Sequence, residues 1–168
     1  RRRASQPDRV REPAMPAASL RFATTDADIA LARALFVEYA HWLQVDLCFQ
    51  GFDRELAALP GAYAPPHGRL LLAGGPAEAF GCIALRPIAR SDAVVAGASA
   101  ARDAPSVGEV KRLYVQPAQR SGGWGRRLAE ALITEARAIG YRELKLDTLD
   151  WMTDARRLYA RLGFRECA

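Results

Sequence analysis

Histidine and cysteine are scarce in this chain. Its 168 residues hold His41 and His67, and only Cys48, Cys82 and Cys167. The cysteines are odd in number, widely spaced and never arranged as C-x-x-C. Free thiols in a reducing cytoplasm are therefore the simplest expectation, and a metal centre is not indicated. The two histidines make weak candidates for catalysis; surface or capping roles suit them better. Long hydrophobic runs are also missing. No apolar stretch approaches the ~18 residues that span a bilayer, and nothing near the N-terminus has a secretory apolar region. A third absence is a long basic run in the body of the chain. The formal net charge is +5, but the five arginines and two carboxylates of residues 1–14 contribute +3 of it. The basicity is mostly a tail, which gives little support to a folded nucleic-acid-binding face.

What is present is enough apolar character, 50% of residues, for one domain with a real core. Residues 1–18 mix Arg, Pro, Ala and Ser and are expected to be a disordered basic tail, with Met15 as an alternative start of the chain. The domain is expected over residues 19–168. Leu20–Ala23 predicts a short strand. Thr24–Asp28 offers N-cap residues, and Ile29, Ala32, Phe36, Tyr39 and Leu43 then follow in steps of three and four, which predicts an amphipathic helix. A second, shorter helix is expected over Asp53–Leu59, stopped by Pro60-Gly61. Residues 69–73 and 79–86 form two apolar runs around Gly74-Gly75-Pro76, so an antiparallel pair buried on both faces is expected. Residues 89–107 lack periodicity and predict a loop. Glu109–Val115 predicts a strand, the segment to Gly140 a helix, Glu143–Asp147 a strand, and Thr153–Leu162 a last helix. Phe164 would begin one more strand. The order β-α-α-β-β-β-α-β-α-β gives an α/β (α+β) class, a mixed sheet flanked by helices.

The segment Arg120-Ser121-Gly122-Gly123-Trp124-Gly125-Arg126 joins the Glu109–Val115 strand to the following helix. A glycine-rich loop at a helix start aims several unpaired N–H groups at one point, where the helix dipole also favours negative charge. Taken alone, Gly122-Gly123 reads as a turn between strand and helix; the flanking strand and arginines reverse that reading in favour of an anion loop. Trp124, in step with Leu128, Leu132 and Ile139, reads by its side chain as core.

The run Glu109-Val110-Lys111-Arg112-Leu113-Tyr114-Val115 followed by Arg120-x-x-Gly123-x-Gly125 resembles the acetyl-CoA-binding core of the GNAT superfamily of N-acetyltransferases. Ala155-x-x-Leu158-Tyr159-x-x-x-Gly163-Phe164 is similar to that family's final helix and the start of its next strand. The resemblance runs from about residue 19 to 168 and implies a GNAT-like, mostly antiparallel sheet whose final strand is missing here. It implies acetyl-CoA as cosubstrate, with no metal. By the same resemblance, the backbone of Leu113, Tyr114 and Val115 splays from the strand near Leu144–Asp147 and pairs with the pantetheine arm. Arg120, Ser121, Gly122, Gly123, Trp124, Gly125 and Arg126 then form the diphosphate site, with Arg120 and Arg126 adding charge-assisted contacts.

The acceptor amine must lose a proton before it attacks, and Glu109 is the candidate base; a plain strand-end carboxylate paired with a nearby Arg is the competing reading. Tyr159 matches the tyrosine that protonates the departing thiolate, against a core tyrosine with a satisfied hydroxyl. Met152 stands where many relatives carry Asn, which puts one polar contact in doubt. Lys111 and Arg112 are expected on the solvent face or steering anions. Trp42, Asp46, Phe49 and Gln50 fall in the region that shapes the acceptor cleft.

The expected activity is acetyl transfer from acetyl-CoA to a primary amine of a small molecule or protein, by direct attack in a ternary complex, since no cysteine lies on the site elements. The alternative is a coenzyme A-binding regulatory module without turnover. Expected partners are a small-molecule or peptide amine, with neither nucleic acid nor membrane. An open sheet edge leaves a homodimer as a further expectation.

Overall fold

Alternate residues of an extended strand point to opposite faces, and in the two central strands both faces are covered. The computed structural model describes residues 18–44, 51–88 and 105–167. In it, β2 (Arg69–Gly74) sends Leu70 and Leu72 to one side and Leu71 and Ala73 to the other. Its antiparallel neighbour β3 (Gly81–Pro87) divides Cys82 and Ala84 from Ile83 and Leu85 in the same way. The flanking strands are β1 (Ser19–Phe22), antiparallel to β2, β4 (Val107–Val115), antiparallel to β3, and β5 (Glu143–Lys145), parallel to β4. The sheet order is β1-β2-β3-β4-β5, mixed and mostly antiparallel.

Helices α1 (Asp26–Leu43) and α2 (Phe52–Ala58) cover the first face through Ala32, Leu35, Phe36, Leu43 and Phe52. The start of α1 is fixed by a capping box, in which Thr25 and Asp28 satisfy each other's backbone N–H groups. Helix α3 (Trp124–Ile139) covers the second face with Leu128, Ala129, Leu132 and Ala136, and stops at Gly140, where φ is +106°. Helix α4 (Thr153–Arg161) follows β5, and Leu162 beyond its end packs against the same cluster. Among the described residues, no helix is long and apolar enough to cross a membrane.

Three local expectations are corrected. Strand β4 begins at Val107, inside the segment expected to be loop, because Val107 and Gly108 find partners in β5. Strand β5 ends at Lys145 instead of Asp147, since its pairing with β4 stops at Glu109↔Lys145. Residues 164–167 form no strand; the Phe164 N–H closes back on the Tyr159 carbonyl at 3.0 Å and so does not join the sheet. The expected tail over residues 1–17, the loop over 89–104 and the acceptor-wall residues Asp46, Phe49 and Gln50 lie outside the described residues.

Candidate active site

Two irregularities of β4 create the site. Beyond Glu109 the strand no longer pairs with β5, so the two diverge and leave backbone polar groups facing a gap. On its other edge, the register with β3 slips between Cys82 and Ala84, so that Arg112 and Leu113 together oppose Ile83. This is a β-bulge, and it inverts the alternation of the strand. Val110 and Val115 are an odd number of residues apart, yet both pack into the α3-side cluster, while Tyr114 packs on the α1 side. Arg112 carries the irregular backbone, with φ at +58°.

The gap opens into a cleft of about 120 Å³ between β4, the segment after β5, α1 and α4. Glu109, Lys111, Arg112 and Leu113 line one wall; Asp147, Thr148 and Leu149 line the opposite one; Tyr39, Met152 and Tyr159 complete it. Glu109 and Tyr159, far apart in sequence, therefore meet in one cavity. Glu109 is ion-paired: its Oε2 accepts from Arg86 Nε at 2.6 Å and its Oε1 from Lys111 Nζ at 3.2 Å. The arginine of the competing reading is thus present, and the carboxylate also faces the cleft. Tyr159 is buried, with its ring edge-on to Phe164 at 5.4 Å, and burial, together with the nearby Tyr39, pushes its hydroxyl well above the ordinary tyrosine pKa. Neither His41 nor His67 lines this cleft.

Arg112 overturns the expectation of a solvent-facing cation. The bulge turns its side chain under α2, where it is only 5% exposed and donates from Nε and Nη2 to the two carboxylate oxygens of Glu55 at 2.9 and 2.6 Å. Glu55 also accepts from the Tyr63 hydroxyl at 2.7 Å. Burial alone would raise the Glu55 pKa, but the hydrogen bonds from Arg112 and Tyr63 outweigh it and hold the carboxyl below its usual range. Tyr39 was legible in the sequence as an apolar-face residue of α1, and only the fold reveals it as a cleft wall. Nothing in the sequence pattern linked Glu55 to the site.

The glycine-rich loop follows β4 through a tight turn over Pro117–Gly122. Gly123 is the N-cap of α3, with φ at +70°, and no side chain caps the helix start, so its first N–H groups remain available to an anion. A Cβ on Gly123 would meet nothing within 4 Å, which leaves the face of the loop open to a ligand. Ser121 and Gly122 are exposed, and Gly125 packs near Leu158. Trp124 lies edge-on to Phe80 at 5.1 Å and belongs by its side chain to the α3-side cluster. The two arginines are engaged within the protein. Arg120 Nε donates to the Val115 carbonyl at 2.9 Å while its guanidinium lies 4.5 Å from the ring centre of Trp42, and exposed Arg126 pairs with Glu130 at 2.7 Å. Trp42 in turn stacks on Tyr39 at 6.3 Å, so the loop is braced against a wall of the cleft. An open anion-binding helix start, reached along a strand with unpaired edge groups, fits a ligand that carries a diphosphate at one end and amides along its length.

The acetyltransferase (GNAT) family matches residues 38–164 of the chain. An uncharacterized N-acetyltransferase of Schizosaccharomyces pombe is 36% identical over 134 residues, which span 79% of this chain and 74% of that protein. An acetyltransferase of the GNAT family from Staphylococcus aureus Mu50 shares the fold with a TM-score of 0.69 at 17% identity, over 90% of this chain and 87% of that one. A predicted acetyltransferase from Clostridium acetobutylicum, solved with acetyl-CoA, gives 0.61 at 15% identity, over 89% and 91%. The solved structures speak for the fold; the family and sequence matches add lineage, and together they show that this chain belongs to the acetyltransferase (GNAT) family, enzymes that draw their acetyl group from acetyl-CoA.

Proposed function

We propose that the protein acetylates a primary amine of a small molecule or peptide by direct attack in a ternary complex. The observation that carries this reading is the meeting of Glu109 and Tyr159 in one cleft, at the point where β4 parts from β5. In this proposal the N–H groups of residues 121–126 hold the diphosphate of acetyl-CoA, with Arg120 bracing the loop and Arg126 at its rim. The free edge of Leu113–Val115 pairs with the pantetheine amides, which brings the thioester into the cleft. The Clostridium structure, which shares the fold, was solved with acetyl-CoA, in keeping with acetyl-CoA as the cosubstrate here.

The ion pairs to Arg86 and Lys111 fix the Glu109 carboxylate, and each oxygen keeps a further lone pair for the amine proton, directly or through one water. As the new C–N bond forms and the C–S bond breaks, the electron pair leaves on sulfur and Tyr159 supplies the proton. A buried tyrosine stays protonated near neutral pH, and a thiolate formed in the same low-dielectric space is itself a stronger base. Carboxylates on both walls, Glu109 and Asp147, suit a cationic acceptor. The same reading sets the enzyme in a reducing cytoplasm, with Cys82 and Cys167 as free thiols. A coenzyme A-binding module without turnover is the less favoured reading, because such a module needs neither Glu109 nor Tyr159.

The test is a panel of primary amines with acetyl-CoA, following thiol release and acetylated product by mass spectrometry. Product with at least one amine is expected. Coenzyme A binding by calorimetry with no thiol release above background across the panel would replace this proposal with the binding module.

A further inference from the structure

Two non-glycine residues among those described have positive φ, and they differ in kind. Gln44 at +53° ends α1, a place where left-handed backbone is common; Arg112 at +58° sits inside a strand. A side-chain-bearing residue holds that conformation only where its surroundings enforce it. Here the enforcement is visible. Both carboxylate oxygens of Glu55 clamp the guanidinium, which lies 5.0 Å from the ring centre of Phe52, and the Arg112 carbonyl accepts from the Cys82 thiol at 3.3 Å. Phe52 and Glu55 both come from α2, so the helix holds the bulge from one side and the sheet from the other.

A buried ion pair is a weak device for stability alone, since apolar residues of similar volume commonly do as well; in some proteins such a pair instead serves to fix one geometry. This pair stands at the bulge, and Arg112 and Leu113 line the cleft. We infer that the Glu55–Arg112 pair is a positioning device for acetyl transfer, holding the backbone at residues 112–113 against the reacting thioester. The inference rests on the acetyl-transfer reading proposed above. It assigns no direct contact with substrate to either side chain. Their effect passes through the strand: without the clamp, the bulge relaxes and the donors of the cleft wall lose their aim, while the diphosphate loop is unaffected.

The experiment compares wild type with Glu55→Gln, Arg112→Lys and the double variant Glu55→Gln/Arg112→Met. Glu55→Gln alone leaves a buried unpaired cation and is the variant at risk of misfolding. The double variant removes both charges together, fills the space with Met and keeps a carbonyl acceptor for Tyr63. Kinetics are run below every melting temperature, with acetyl-CoA and phenethylamine or, failing turnover there, the best amine of the panel. Expected for the folded double variant is a kcat lower by about tenfold or more, with KM for acetyl-CoA and the Kd of coenzyme A within about threefold of wild type. Arg112→Lys, which can still reach one carboxylate oxygen, recovers part of the loss. A double variant with wild-type kcat overturns the inference, since a merely structural pair would change melting and leave kcat alone. Amide exchange over residues 111–115 gives a reading independent of turnover. Faster exchange in the double variant at preserved melting temperature supports the inference, and unchanged exchange overturns it. Wild type inactive on the whole panel would sink the acetyl-transfer proposal instead, and the exchange result would still decide whether the pair positions the strand.

Discussion

Arg86 and Glu109 stand directly opposite each other across the β3–β4 pair, and the arginine Nε reaches Glu109 Oε2 at 2.6 Å. Lys111, two residues along β4, takes the other oxygen. The carboxylate is therefore held in place at the cleft by cations on its own strand and the next one. Replacing it with Gln keeps its shape and removes both its charge and its basicity. Glu109→Gln is expected to lower kcat/KM by about 10²–10³-fold. Its cost in stability should exceed the ~1 kcal/mol of an exposed pair, because Arg86, 38% exposed, can turn to water whereas Lys111, 16% exposed, loses a partner. Coenzyme A affinity, measured by calorimetry, should hold, since the glycine-rich loop proposed to hold the diphosphate lies beyond the far end of β4. A variant that turns over like wild type would show that Glu109 serves the ion pairs alone.

Tyr159→Phe removes one oxygen from the same cleft. The ring and its edge-on contact with Phe164 are retained, so the melting temperature should change little. The thiolate then leaves without a proton donor, and kcat is expected to fall by about 10²-fold with KM for acetyl-CoA nearly constant. In wild type, burial places the tyrosine's ionisation above its ordinary value of 10.0, so its deprotonation should not appear as an alkaline limb of the rate below that pH. A kcat–pH profile of both proteins checks this. An alkaline limb below pH 10 that vanishes in Tyr159→Phe would contradict the burial-driven shift.

Much of this arrangement was legible in the sequence, for physical reasons that also mark where legibility stopped. Leu70–Ala73 and Cys82–Leu85 are uninterrupted apolar runs, and only a strand covered on both faces tolerates them. The helix from Trp124 to Ile139 announced itself by Leu128, Leu132 and Gly140. The glycine loop and Tyr159 were singled out by their resemblance to family motifs, and the fold sets the loop at the start of α3 and Tyr159 in the cleft beside β4. Arg112 was misplaced because its charge alone assigned it to solvent, whereas the bulge turns it under α2, where a buried carboxylate pairs with it. Its partner Glu55 lies on a seven-residue helix, two turns that are too short for a periodic pattern to mark an inward face, so no local pattern could identify it. The strand expected at Phe164 failed for a related reason. Local sequence can favour an extended conformation, but a strand exists only where a neighbour supplies hydrogen bonds.

The same buried pair predicts an acid-sensitive stability. Arg112 and Tyr63 hold the Glu55 pKa below its ordinary value of 4.5 despite burial. A carboxylate with a depressed folded-state pKa contributes stability that is fully present above its unfolded pKa and is lost as pH falls through the folded one. Glu55→Gln forfeits that contribution at every pH and leaves Arg112 buried without a countercharge, a cost of about 3–5 kcal/mol at neutral pH. For a chain of this size the melting temperature should drop by roughly 10 °C. Melting curves from pH 7 to pH 3 should therefore converge, the wild type losing more stability on acidification than the variant. Parallel curves would mean that another carboxylate governs the acid response.

Gly123→Ala separates the cost of the loop's geometry from its purpose. Nothing within 4 Å obstructs a Cβ there, so the substitution meets no clash, and its penalty is confined to the backbone, at φ +70°. That conformation costs an alanine about 1–2 kcal/mol. Two responses are open to the chain. It can retain the left-handed turn and lose stability by that amount, or rotate the turn and misdirect the uncapped N–H groups at the start of α3. Because Arg120 ties the loop to the Val115 carbonyl and to Trp42, the loop cannot shift as a body, and the strain falls on the few residues that would face the diphosphate. Affinity for coenzyme A is therefore expected to fall by about tenfold or more, while affinity for pantetheine, which has no diphosphate, stays near wild type. Calorimetry with the two ligands reads the difference directly. Equal losses for both would place the defect along the β4–β5 gap and remove the diphosphate from the helix start.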